Sequence, residues 1–332
     1  MSDPNAAFQP PPPPTAAPVP PKPRPTYLRV PAIVLIVVGV ALLVVALLKL
    51  LNLGVGPGAA LAFMGIVLFA LSFISLPDAA PGIAGPLGTL EQLTGIFYEP
   101  TRVFKNLRYH PRWVGAFLVI ALLNAAYVAA FTKRLTAERI VNYTVDKMAD
   151  TPFIPPEAVE RARDQGLQDA KSPAKKVGNA ITQIVGIFCF LCFLAAIYLV
   201  ALLAFGGKIN FWQALSVVMF ASVPPVVITK VVSFILLYLK SPDDIHPLMG
   251  QETLLQDNLG ILFSPKDHPV MFVIAASIGI LSFYKLWLMA KGLQEGGTKV
   301  SSSAAWGVAI TIWVIGLLLI VSITALFPSF IS

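Results

Sequence analysis

Seven long apolar stretches constrain this chain more than any other feature. They run over Ala32–Leu53, Ala59–Leu76, Trp113–Phe131, Ile184–Phe205, Ala214–Leu239, Val270–Ala290 and Ala304–Phe327. A helix needs about 20 mostly apolar residues to cross a hydrocarbon core of about 30 Å. In lipid every backbone polar group must be paired internally, which a helix does within one segment and strands do only in a closed barrel. Barrel strands alternate apolar and polar residues, and these runs do not. The expectation is an all-α, polytopic membrane protein with about seven transmembrane helices. Composition agrees, with 12% charged residues where soluble domains carry about 25%.

The net charge is +7, but its placement does not suit nucleic acid. The basic residues sit mainly beside the apolar stretches, where Lys and Arg set topology and meet lipid headgroups. No nucleic-acid motif is present. The two cysteines, Cys189 and Cys192, fall inside the fourth stretch at i, i+3, on one helix face. Without polar partner ligands they read as membrane packing rather than as a zinc or redox pair.

Composition shifts divide the chain. Residues 1–29 form a proline-rich tail, with Pro10 to Pro14 in a row and Pro18, Pro20, Pro21, Pro23 and Pro25 following. Proline fixes φ and lacks a donor, so an extended polyproline II tether is expected; a ligand for an SH3- or WW-like groove is the sharper reading. Residues 30–76 form a transmembrane hairpin turning at Gly56-Pro57-Gly58, and 77–88 a Pro/Gly linker. The remaining 89–328 form a five-span membrane domain with a hydrophilic helical insert at 132–178.

In the segment before the third stretch, Thr89 with Gln92 reads as a capping box, and Pro100 opens a second short helix. There Val103, Phe104 and Leu107 share one arc, while Arg102, Lys105, Arg108 and Arg112 cover the other. This pattern suits a helix lying in the headgroup plane, apolar side in lipid, with the four basic residues as headgroup contacts. The alternative is a helix packed on the protein. The insert shows two helical patterns, Ala137–Met148 and Pro156–Gln168, and a further amphipathic helix is expected over 254–263. Asp243, Asp244 and His246 are close in sequence, but with only one imidazole they read as a capped, solvated loop rather than a metal site.

Lys22, Arg24, Arg29, the basic residues of 89–112, and Lys208, Lys291 and Lys299 in short loops fall on one side if all stretches span. The expected orientation places the N-terminus in the cytoplasm and the C-terminus outside.

Candidate intramembrane polar residues are Lys230, Lys285 and Asn124. A lysine at mid-membrane costs about 2.5–3.5 kcal/mol on insertion scales and usually marks function. Pro224-Pro225 just before Lys230 should kink or break the helix, and a broken helix beside a cation is one way transporters hold anions. The plainer reading is that Lys230 snorkels to a boundary. Lys285 lies nearer its helix end and snorkels more easily; Asn124 suits a hydrogen bond across helices. No phosphate loop, zincin or nucleophile-elbow motif occurs, so no catalytic, cofactor or metal residues are expected.

The stretch GIFYEPTRVFKNLRYHPRW at Gly95–Trp113 resembles the opening of bacterial Yip1-domain proteins, with Ile96, Phe97, Pro100 and Phe104 matching. FGGKINFWQALSVVMFASVPPVV at Phe205–Val227 is similar to the family's Gly-Gly turn, Phe and proline-containing helix, carried by Gly206, Gly207, Phe211 and Pro224. Ser277–Leu293 resembles its penultimate helix, with Trp287 and Gly292-Leu293; where members often carry an acid near the start of that helix, Gly279 stands. The resemblance covers about 90–327 and implies a five-helix integral domain with a cytoplasmic N-terminus. Eukaryotic relatives act in vesicle traffic with Rab GTPases, which does not carry over to bacteria. The expected function is non-enzymatic: an adaptor or membrane-organising protein, without cofactor, in the bacterial cytoplasmic membrane. Its partners would be lipids and a membrane protein or a second copy. The alternative is a small transporter or channel built on Lys230 and a Pro224-Pro225 break.

Overall fold

The computed structural model describes residues 23–50, 54–77, 85–150 and 154–327. Most of the proline tail and of the 77–88 linker lie outside the described residues. The order is α1 Arg29–Leu47, α2 Gly56–Leu71, α3 Thr89–Tyr98, α4 Pro100–Tyr109, α5 Val114–Leu135, α6 Ala137–Ala149 and α7 Pro156–Lys171. There follow α8 Pro173–Ala204, α9 Phe211–Leu239, α10 Met249–Glu252, α11 Pro269–Ala276, α12 Ile280–Gly296 and α13 Ser302–Leu326. The molecule is an all-helical, polytopic membrane protein. Five helices are long and apolar enough to cross a membrane, and α2 is a shorter apolar helix of 16 residues. The sixth apolar stretch is not one helix: it is interrupted at Ser277–Gly279 between α11 and α12.

Helix α9 is the hub, packed by α3, α4, α5, α8 and α12. Every residue from Phe211 to Pro225 is buried, so this half of the helix is enclosed by protein. Its start is fixed by a capping box at Asn210-Phe211-Trp212-Gln213. Asn210 Oδ1 accepts the Trp212 N–H at 2.9 Å, and Gln213 Oε1 accepts the Asn210 N–H at 2.7 Å. The 32 residues of α8 run about 48 Å at 1.5 Å per residue, so its first turns project beyond a 30 Å core and carry α7.

The N-terminal hairpin packs on α8 through α2. Its two helices meet backbone to backbone. Gly39 lies against the Ala62 backbone, and a Cβ at Gly65 would come 2.7 Å from the Ala32 carbonyl. Small residues at such crossings are how helices associate in lipid, where no hydrophobic drive separates apolar side chain from acyl chain.

Hydrogen bonds group the connections at two ends of the bundle. At one end Leu76 N–H donates to Pro23 O, Trp212 Nε1 to Ile74 O, Gln213 Nε2 to Arg108 O, and Lys208 pairs with Thr298. At the other end Arg139 bonds Asp243, and Gly54 lies near Lys175. Residues 23–29 and 89–112 thus share one end, and the described insert residues and 240–268 the other.

Several local expectations are corrected. Thr89 begins α3 without capping it, and Gln92 instead is buried and donates to Asn106 Oδ1 at 3.1 Å. The 254–263 helix is absent: a short helix precedes it at Met249–Glu252 and a 3₁₀ turn forms at Leu259–Leu262. Helix α9 runs unbroken through Pro224-Pro225. Two consecutive prolines remove the N–H donors that Phe220 and Ala221 carbonyls would receive, yet the surrounding helices hold the segment helical.

Candidate functional site: a loop folded back into the bundle

The connection from α9 to α11 does not stay at the end of the bundle. Lys230 lies nine residues before Leu239, hence about 13 Å into the helix. Its Nζ nevertheless donates to the Glu252 carbonyl, so the loop folds back along α9 by that depth. Lys230 is only 6% exposed, and its ammonium also stands 4.6 Å from the centre of the Tyr127 ring on α5. Carbonyl and π-face together replace part of its lost hydration. The snorkelling expectation for Lys230 therefore fails: the side chain turns inward to a partner.

One turn further along α9, Ser233 completes the tie. Its Oγ accepts the Leu254 N–H at 3.0 Å and lies 3.1 Å from Thr253 Oγ1. The Tyr127 hydroxyl donates to Gly250 O at 2.6 Å. Below these bonds Tyr127, Phe131, Leu135, Leu237, Ile245 and Leu254 form an apolar cluster of their own. A loop at membrane depth needs such pairing, because unsatisfied peptide groups are costly there.

His246 holds the outer end of this loop. Its Nδ1 accepts the N–H groups of Leu248 and Met249 at 3.2 and 3.1 Å, and its Nε2 lies 2.9 Å from the Tyr143 hydroxyl. An Nδ1 that accepts is unprotonated, so the ring is neutral with its proton on Nε2. Burial first, and the nearby Lys147 charge second, push the His246 pKa below its ordinary value. Burial pushes the Tyr143 phenol up. Arg139, Asp243, Asp244 and His246 line a surface cavity of about 390 Å³, in which Asp243 is taken by Arg139 at 3.2 Å. No group of three or more metal-ligating side chains occurs among the described residues.

A larger cavity of about 920 Å³ lies beside the loop, between α5, α6, α7 and α8. Its wall mixes apolar residues with Thr132, Lys133, Lys176, Asn179, Gln183 and Glu252. It sits where the insert meets the bundle. Nothing in the sequence announces it, because its lining comes from five separate segments.

The other predicted residues fall as follows. Asn124 Nδ2 donates to Ile120 O of its own helix at 2.8 Å, not across helices. Lys285 lies early in α12 and lines a cavity rather than reaching a boundary. Cys189 and Cys192 are free thiols. In α4 the apolar arc is buried in protein: Val103, Phe104 and Leu107 are fully enclosed, so it does not lie in lipid as the interfacial reading expected. The four basic residues stay outside that core. Arg102 pairs with Glu91 and Glu99 at 2.6 and 3.1 Å, which raises its pKa, and Lys105 stands 4.0 Å from Glu295. Arg108 lies over the Tyr109 ring, and Arg112 is exposed.

The three sequence blocks converge. Ile96 and Phe104 are fully buried, and Gly292 is where α12 meets α4: a Cβ there would come 2.6 Å from Val217 Cγ1 and 2.9 Å from the Phe104 ring. Pro100 opens α4, Gly206 has φ +77°, which favours glycine, and Gly207 closes against Leu202. Phe211 packs edge-on to Trp212, Pro224 is buried in α9, Trp287 stacks on Tyr284, and Phe97 is exposed. The Yip1 domain family model matches residues 94–323. The chain belongs to the Yip1 family. No curated protein and no solved structure matches it. Within this Yip1 domain Gly279 precedes α12, and the nearby loop brings Asp257 to that helix start. Asp257 Oδ2 accepts the Leu281 N–H at 2.8 Å and so faces the positive end of α12.

Proposed function

We propose that this integral membrane protein is a non-enzymatic adaptor or membrane-organising element of the bacterial cytoplasmic membrane. One observation carries the reading: Lys230, the cation on which a transport path beside Pro224-Pro225 would be built, is spent on internal structure. Lys230 is held by Glu252 O and Tyr127, and Ser233 by the Leu254 and Leu255 N–H groups and the Thr253 hydroxyl. The insert helices α6 and α7 then stand as the polar platform on which a membrane-protein partner or a second copy would act. Purified protein in proteoliposomes should show no substrate turnover. Turnover lost on a point mutation that spares the fold would overturn the proposal.

The transporter reading keeps one specific support, the 920 Å³ cavity that reaches Glu252, whose carbonyl Lys230 holds. Solute flux abolished by Lys230→Arg in a still-folded protein would favour it.

The proposed orientation has the tail end of the bundle in the cytoplasm. At that end Arg112, Lys208 and Lys299 lie in short connections next to spans, where the positive-inside bias acts. At the opposite end Arg139, Arg163 and Lys175 are paired with acids. A cysteine placed at position 160 should label from outside the cell and one at position 20 should not; the reverse pattern inverts the orientation.

A further inference from the structure

The break between α11 and α12 opens a cavity of about 490 Å³ bounded by α8, α11, α12 and α13. Its wall is mostly apolar, with Leu194, Met289, Ile312 and Leu317 among the lining. Ser277 on its wall is satisfied by Ile274 O at 2.7 Å, which leaves three further polar side chains: Tyr198, Ser282 and Lys285. None of the three has a hydrogen-bond or ion-pair partner among the described residues. Lys230, the other deep lysine, has two. An unpaired ammonium in an apolar cavity is costly unless an anion joins it. Lys285 lies five residues into α12 and eleven before its end at Gly296, about 16 Å from that end.

Ile320 on α13 lines the cavity and is also 53% exposed, so the cavity wall reaches the surface of an apolar helix. Its volume lies within the range of about 300–1,000 Å³ typical of small-molecule sites. An anion that reaches this depth through hydrocarbon must carry its own apolar body.

We propose that this cavity binds a long-chain carboxylate, a single-chain amphiphile entering sideways from the bilayer, with Lys285 as its counter-ion and Tyr198 and Ser282 as hydroxyl donors. A carboxylate fits better than a phosphate monoester: the site offers one positive charge, and a monoanion is neutralised by it. The chain would lie along the apolar wall between α8 and α13.

Trp313 lines the cavity and reports on it. The full chain in neutral detergent would be titrated with dibromostearic acid while tryptophan emission is followed. Saturable quenching is expected, and Trp313→Phe should remove most of it. The methyl ester of the same acid should bind at least about tenfold more weakly, a difference of about 1.4 kcal/mol. Lys285→Met should show a similar loss and Lys285→Arg should restore binding. A Cβ at Gly316 meets nothing within 4 Å and the residue lines the cavity, so Gly316→Phe should block the site without disturbing the fold. Equal binding of acid and ester to the wild-type protein would overturn the proposal even if no lysine variant folds. So would undiminished quenching in Gly316→Phe. Tighter displacement by a lysophosphatidate of equal chain length would overturn the carboxylate assignment.

Discussion

Two membrane segments of this protein behave in opposite ways to their sequences. Helix α9 carries Pro224-Pro225 in its middle and stays continuous from Phe211 to Leu239. The 270–290 stretch has no internal proline beyond the helix start, yet it separates into α11 and α12 at Ser277–Gly279. The difference lies in what surrounds each one. Residues before Pro225 are enclosed on every side by other helices, which leaves the chain no room to diverge and no competing donor. At Ser277–Gly279 a competing backbone is present. Leu259 N–H donates to Ile278 O at 3.0 Å, Ile280 N–H to Asp257 O at 3.3 Å, and Asp257 Oδ2 takes the Leu281 N–H. Missing donors weaken a helix, but a helix opens where something else satisfies the exposed groups.

Removing the loop's grip should have the widest effect. Lys230→Met keeps the side-chain bulk but leaves the Glu252 carbonyl unpaired. Stability should fall by about 1 kcal/mol, the lower end of the cost of an unsatisfied acceptor, because Glu252 is itself exposed. Hydrogen exchange should quicken over 250–255 before it does in α9. Unchanged protection there would mean that the loop is held by its apolar cluster alone.

Asp257→Ala tests the break directly. It removes one charge-assisted bond, worth about 1.5–3 kcal/mol when the acceptor is charged. Exposure of the loop places the expected loss toward the lower figure. Exchange should rise at Leu281 and its neighbours. Loss of protection confined to 257–259 would show that α12 caps itself without the loop.

Acid should loosen the same loop by a smaller amount. His246 has its pKa lowered in the folded state, so the unfolded chain binds the proton more readily. The contribution is fully present above the ordinary histidine value and is lost as pH falls through the folded one. A protonated Nδ1 also cannot accept from Leu248 and Met249. Protease cleavage near 246–249 should therefore increase on acidification in the wild type and not in His246→Gln. Equal acid sensitivity in both would remove His246 from the cause.

The smallest change should come from the feature most conspicuous in the sequence. Pro224→Ala with Pro225→Ala restores two backbone donors in an already helical segment. Span count and labelling pattern should stay the same, with a stability shift below those above. A rearranged α12 would show that the prolines shape the bundle after all.

Much of the architecture was readable from residue order. Apolar length alone gave the membrane class, because backbone pairing in lipid leaves helices as the solution for such runs. Proline positions gave the starts of α4 and α7, and the short motifs around Phe104, Gly206 and Gly292 pointed to the family. The amphipathic arc of α4 was also correctly drawn. Its destination was not: Val103, Phe104 and Leu107 fit lipid and protein alike, and only the position of Gly292 and Val217 decides between them. Lys230, Lys285 and the 249–258 loop show the same division. The sequence established that polar groups lie at depth and must be paired. Which carbonyl reaches Lys230, which acid reaches α12, and that Lys285 is left without either depend on contacts between segments more than 20 residues apart. Such contacts leave no periodic trace, so only the tertiary structure decides them.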